Sequence, residues 1–275
     1  MARIRIDAEL GAAVAFEGAG VRLPQRTRRG GGTRKHQLRR FAGEVSRDEV
    51  WMLRDASFSV APGEALAVVG HAGSGRDEVL RLAAGTLMPD EGSVRRSITI
   101  VPIIGLGGAL ERKYTVRQNI YLIGGLIGML PSEVEERLPW IVERAGIARI
   151  LDKYLADATR AVRAKLLWSI AMSAQSSGYA ISQAIVVGQP DFRKSCWEVV
   201  DELKAQGSTF LVTSDKPSHL LRFCDRAILL DAGSIVADTT VDDALERLRE
   251  IPPPKDQVHF VIDDDDDDDE DEDLV

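Results

Sequence analysis

The run Gly70-His71-Ala72-Gly73-Ser74-Gly75-Arg76-Asp77 holds three glycines within six positions and then a cation. Between a buried strand and a helix, glycines at this spacing let successive backbone N–H groups surround a phosphate. A following lysine and hydroxyl would then serve the phosphate and a magnesium ion. Gly70, Gly73 and Gly75 suit that chemistry, with Ser74 among them, but the two functional side chains do not. Arg76 stands at the lysine position, charged yet bulkier and forked. Asp77 sets a carboxylate where the hydroxyl belongs, beside a polyanion. A glycine turn kept only for strand–helix packing explains the same residues, and the pattern alone does not choose between the two.

Other chemistry-bearing residues give less. His36, His71, His219 and His259 are scattered without ligand spacing, so no metal site is expected. Asp263 to Asp273 are eleven consecutive acids, but an extended run without turn glycines is not a calcium loop. Cys196 and Cys224 form no Cys-x-x-Cys pair, which excludes a thiol zinc site or a disulfide scaffold and suits reduced side chains in the cytosol.

The elements that must position the glycine run are legible around it. With 275 residues, 44% of them hydrophobic, the chain has material for one sizeable core or two small ones. Its net charge of -8 becomes +3 without the eleven acids, so the overall balance does not indicate a nucleic-acid partner. No secretory signal or membrane span is expected, since the apolar stretches fall short of the roughly 20 residues that cross a bilayer. Residues 18–43 carry eight Arg or Lys and no acid, and are expected to form a basic solvated insertion. It would touch anionic lipid or the acidic run. The second half of 50–60 alternates like a half-buried strand, and Ala65–Val69 suits a strand buried on both faces. Arg76–Ala84, Ser132–Arg149, Ala161–Ala174 and Phe192–Gln206 have helical spacing, while Ala184–Val187, Thr209–Thr213 and Arg226–Leu230 read as strands. Alternating strands and helices make an α/β doubly wound sheet the economical fold. Residues 114–178 would form a helical subdomain within a domain spanning 1–250, and 251–275 a Pro-rich linker with a disordered acidic tail.

From about Val50 to Leu245 the chain resembles the ATP-binding cassette (ABC) subunits of polysaccharide exporters, the group serving O-antigen, capsule and teichoic acid. The resemblance rests on Leu53 to Phe58, the glycine run, Thr115 to Leu122, Val187 to Cys196, and Phe223 to Gly233. It implies a P-loop NTPase-like cassette with a helical subdomain. It also implies where a catalytic set would fall. In the family a hydrophobic strand ends in Asp-Glu, for magnesium and for the attacking water; here Ser182-Gln183 stand there, leaving neither charge nor base. The family's switch histidine falls on Ser214, with His219 five residues too late. The aspartate that communicates between paired cassettes falls on Gln189, and the first ligand-sensing acid or amide on Gly105. The signature at a helix N-terminus aligns with Thr159-Arg160-Ala161, whose Ala161 adds a Cβ where backbone approaches phosphate. Trp51 lies near the position of an adenine-stacking aromatic, though a packing tryptophan explains it equally.

Because paired cassettes build each ATP site from one subunit's phosphate loop and the other's signature, a chain altered at both ends compromises both sites. The expected function is therefore a degenerate, non-hydrolysing cassette with no cofactor, or only weakly bound ATP and magnesium. It would dock on an ABC permease, with an intact cassette as a further partner, in the cytoplasm at the inner face of the membrane. The alternatives are an active exporter ATPase with unusual residues, and a scaffold unrelated to transport.

Overall fold

A computed structural model describes residues 6–24, 49–183 and 185–253. The remainder of the basic insertion from residue 25, and the acidic tail from residue 254, lie outside the described residues.

The chain opens with β1 (Val14–Pro24) and β2 (Glu49–Val60), paired antiparallel so that Val14 faces Val60 and Phe16 faces Phe58. Residues 18–24, expected to begin the basic loop, belong to β1 instead. Val14 and Phe16 are buried, then Ala19 and Val21, so the period of two is kept but its phase slips by one residue. The slip is a bulge around Gly18, whose φ of 58° is a left-handed value that glycine adopts without strain.

β3 (Ala65–Gly70) is buried at all six positions and leads through the glycine run into α1 (Arg76–Ala84). β4 (Glu91–Arg96) and β5 (Ile100–Ile103) follow. Three helices come next: α2 (Val116–Leu126), α3 (Pro131–Ala145) and α4 (Arg160–Ser173). The Thr115 hydroxyl accepts from the Gln118 N–H while the Gln118 side chain accepts from the Thr115 N–H, a reciprocal cap that fixes where α2 begins. Asn119, fully buried, ties α2 to the incoming chain by accepting from the Glu111 N–H and donating to the Glu111 carbonyl.

The rest alternates: β6 (Gly178–Ser182), α5 (Pro190–Ala205), β7 (Thr209–Thr213), α6 (Pro217–Phe223), β8 (Arg226–Asp231), β9 (Ser234–Thr240) and α7 (Val241–Glu250). The strand expected at Ala184–Val187 lies earlier in the chain, at β6. Gln183 takes a φ of 66° and ends it, and the buried Ile185 and Val186 continue as irregular chain, with the Ile185 carbonyl accepting from the Trp168 indole.

Two sheets result. One is antiparallel, in the order β2-β1-β4; the other runs β5-β6-β7-β3-β8-β9, parallel except for the β8–β9 pair. One core packs the helical layer against the parallel sheet, and a second fills the space between the two sheets around α1. Cys196 and Cys224 are free and buried, and burial pushes their thiols up to about 11 and about 12, so both stay protonated and inert. No helix among the described residues is long and apolar enough to cross a membrane.

Inside the second core lies a buried cation. Arg96 donates to the carbonyls of Leu82 and Ala83 in the last turn of α1, where backbone acceptors run out and negative partial charge collects. Burial works against its charge, and the two carbonyls offset part of that cost. Arg96→Ala is expected to destabilise the protein by roughly 2–3 kcal/mol, a fall in Tm of roughly 5–10 °C, measured by calorimetry. Arg96→Lys should recover part of the loss, since one ammonium still reaches a carbonyl.

Candidate functional site

In an open parallel sheet ligands bind beyond the C-terminal ends of the strands. Three neighbouring strands, β6, β7 and β3, end here at Ser182, Thr213 and Gly70, and the residues after them meet. Gly70 is close to other groups: a Cβ there would stand 2.3 Å from the Ser74 hydroxyl and 2.8 Å from the Leu230 carbonyl. Gly75, with φ 96°, ends the loop in a left-handed conformation, and a Cβ on it would stand 2.3 Å from the Met52 carbonyl. Gly73 is also left-handed, at φ 83°, with open space around it. Packing against β2 and β8 therefore accounts for two glycines, and loop curvature alone for the third. The Ser74 hydroxyl is buried, 5% of the residue being exposed, without a hydrogen-bond partner among the described residues.

The side chains that follow are engaged with one another. Arg76 turns back on its own loop, donating to the Gly70 carbonyl at 3.1 Å, and bridges to Asp215 beyond β7 at 2.8 Å. Its side chain is 11% exposed, against 64% for the carboxylate. Asp77 accepts from the Ser182 hydroxyl at 2.8 Å, and Ser182 in turn accepts from Thr213 at 3.4 Å. Hydroxyl and carboxylate are thus both present, on exchanged elements: the acid leads the helix and the hydroxyl ends the strand.

Next to Asp77 stands Glu78, with 7% of its surface exposed. Burial raises its pKa; acceptance from its own backbone N–H and the Arg81 charge act the other way. At the helix N-terminus Asp215 thus pairs with Arg76, Asp77 is held by Ser182, and Glu78 lies buried beside Asp77 and Arg81. Glu78 and Asp215 escaped sequence reasoning, although Glu78 had a usable signal: an acid at a position of α1 whose helical spacing faces inward.

The remaining residues lie around this centre. Gln183, exposed, donates its backbone N–H to the Thr213 carbonyl. The Ser214 hydroxyl accepts from the Lys216 N–H. His219 is turned against the Trp197 ring, with centroids 5.6 Å apart. Burial lowers its pKa, and Lys216, Arg193 and Arg222 add to the effect. His71 meets the Ile251 carbonyl at 2.9 Å, which joins the glycine loop to the chain leaving α7. The half-buried ring of Trp51 has the guanidiniums of Arg22 and Arg54 at 4.9 and 5.2 Å from its centroid and Gly20 against its edge. Thr159 caps α4 by accepting from the Val162 N–H, which places Thr159, Arg160 and Ala161 at a helix N-terminus in the helical layer. Gln189 precedes α5, and Gly105 stands left-handed after β5. Among the described residues no group of three or more His, Cys, Asp or Glu is placed to hold a metal ion.

Comparisons with known proteins agree on one family. Residues 53–172 match the family model described as ABC transporter. The chain is 32% identical to the O-antigen export system ATP-binding protein RfbB of Klebsiella pneumoniae, over 65% of this chain and 73% of that one. It is 31% identical to the ABC transporter protein AbcA of Aeromonas salmonicida, over 67% of this chain but only 60% of the relative's length. A teichoic acids export ATP-binding protein, TagH of Listeria monocytogenes, is 28% identical over 73% of this chain and 59% of its own length. Among solved structures, an ATP-binding subunit of an ABC transporter superposes with a TM-score of 0.64 at 19% identity, covering 87% of this chain and 95% of the other. That likeness shows the α/β cassette fold.

The buried acid generates a test. A raised folded pKa means that the folded state holds the Glu78 proton more tightly than the unfolded chain. Its contribution is therefore fully present below the ordinary carboxylate range and is lost as pH rises through the folded pKa. Glu78→Gln is expected to raise Tm at pH 8 and to leave it unchanged near pH 4. A lower Tm at pH 8 would show that the ionised carboxylate holds the loop.

Proposed function

We propose that this chain, which belongs to the ABC transporter family and within it to the ATP-binding subunits of polysaccharide export, is a cassette that does not hydrolyse ATP and serves its exporter by docking or regulation. The observation that carries the reading is the closed circuit at the strand ends, where Arg76 is held by Asp215 and Asp77 by Ser182. The cation that would meet a phosphate is already paired. The carboxylate that would face magnesium instead comes from the element that also approaches the phosphates, so it repels the anion the metal must bridge.

A magnesium nucleotide does not fit these residues as they stand. Asp77 and Asp215 oppose a polyanion, and Gln183 offers an amide where proton abstraction needs a base. Removal of one stabilising group from a transition state typically costs roughly 3–4 kcal/mol, and such groups act as a unit. What remains suitable is backbone: the glycine loop, the α1 N-terminus and the unpartnered Ser74 hydroxyl. This remnant supports weak nucleotide binding and is the observation that favours the second reading, an active exporter ATPase.

The proposed partners are an ABC permease and an intact cassette, at the cytoplasmic face of the membrane. The relatives' names supply the class of transport, and the α2 cap built from Thr115, Gln118 and Asn119 keeps the helical layer in order without any catalytic residue.

Purified protein with ATP and magnesium is expected to release phosphate no faster than a protein-free control, and Gln183→Glu alone should not change that. The triple exchange Arg76→Lys, Asp77→Ser, Ser182→Asp should restore nucleotide binding, read by calorimetric titration, before turnover appears. Magnesium-dependent hydrolysis by the unmodified chain that Arg76→Ala abolishes would establish the active-ATPase reading.

A further inference from the structure

The glycine loop is not the place where this chain is best equipped to receive an anion. Between α5 and α6 lies an open groove of about 510 Å³, lined by Pro190, Arg193, Lys194, Trp197, Glu198, Asp201 and Arg222. Its floor is aromatic. The Arg222 guanidinium stacks 4.0 Å from the Trp197 centroid, and His219 meets the same ring edge-on.

Three of its five charged lining residues are cations. Arg222 pairs with Asp201 at 2.8 Å, so those two cancel. In the lining, Arg193 and Lys194 on α5 make no ion pair among the described residues, against the remaining acid Glu198; Lys216, outside the lining at the start of α6, adds a further unpaired cation beside His219. The field is felt at His219, where Lys216, Arg193 and Arg222 all disfavour the imidazolium after burial has done so.

We propose that this groove is the docking site of the chain's own acidic segment, Asp263 to Asp273. Charge complementarity is the first argument: eleven acids meet unpaired cations beside an aromatic platform. Position is the second. α7 packs on α6, and the chain leaves it at Glu250. Residues 254–262 add nine residues of reach, roughly 30 Å when extended. Traversing the whole of α7 and one helix diameter needs no more than about 25 Å. The third argument excludes the competing site. The glycine loop, which Ile251 touches through His71, presents Asp77 and Asp215 and has the Arg76 guanidinium paired, so it repels the acids that the groove attracts. An attraction of this kind is long-ranged at low salt and screened within roughly 10 Å at 0.1 M.

Zero-length carbodiimide coupling of the full chain joins lysine ammoniums to carboxylates in contact, and peptide mapping by mass spectrometry of the monomeric fraction reads the pairs. Lys255, in the same segment as the acids, serves as the internal reference. At low salt, Lys194 and Lys216 are expected to couple to Asp263–Asp273, and at 1 M salt the links should fall at least fivefold. Arg193→Glu combined with Arg222→Glu should reduce the Lys194 and Lys216 links to a similar extent while leaving those of Lys255 in place. Coupling of the acids to Lys35 in the basic insertion instead, links only between chains, or links that the double charge reversal leaves intact would overturn the proposal.

Discussion

Helix α1 is held at both ends by side chains from other elements, and the rest of the molecule is arranged around that restraint. At its C-terminus Arg96, from the antiparallel sheet, covers the carbonyls of Leu82 and Ala83. At its N-terminus Arg76 and Asp77 reach the ends of β7 and β6 in the parallel sheet. The helix thus joins the two sheets electrostatically as well as by packing, and the ends of a helix are where partial charge is available for such ties. Displacing the N-terminal ties to admit a ligand would leave Asp77 and Arg76 without their present partners.

The exchange between Asp77 and Ser182 is self-consistent as structure. A half-buried carboxylate gains from a donor and a half-buried hydroxyl from an acceptor, and each supplies the other at 2.8 Å wherever the two reside. The fold is indifferent to which element carries which group. A bound metal polyphosphate is not indifferent, because the helix is the element that also presents its backbone donors to the anion. The same pairing energy is available in either arrangement, whereas the field presented to a metal polyphosphate differs between them.

The sequence made part of this legible. β3 shows as an uncharged apolar run and α1 as helical spacing, because both are set by local composition. β1 was hidden since the Gly18 bulge breaks its alternation midway, and β6 since its five residues, Gly178 to Ser182, are too short for a periodic signal against the apolar Ile185 and Val186 that follow. At the site, the residue types of the glycine run and of the strand ends can be read directly. The partnerships cannot: Arg76 and Asp215 are 139 positions apart, and Asp77 and Ser182 are 105. Nothing in the spacing of either pair encodes that parallel pairing of β6, β7 and β3 brings their ends together.

That convergence also explains why the altered positions resist piecemeal change. An aspartate at position 182 facing Asp77 would set two carboxylates at hydrogen-bond distance, and one would have to keep a proton. A serine at 77 facing Ser182 would leave two hydroxyls and no charge for a metal. Either single step loses the present bond without making the other arrangement, so the two positions are coupled thermodynamically. Arg76 is bound into the same circuit through Asp215, whose partner strand β7 also carries the Thr213 hydroxyl that donates to Ser182. The residues at the strand ends therefore form one linked set of partnerships rather than independent positions.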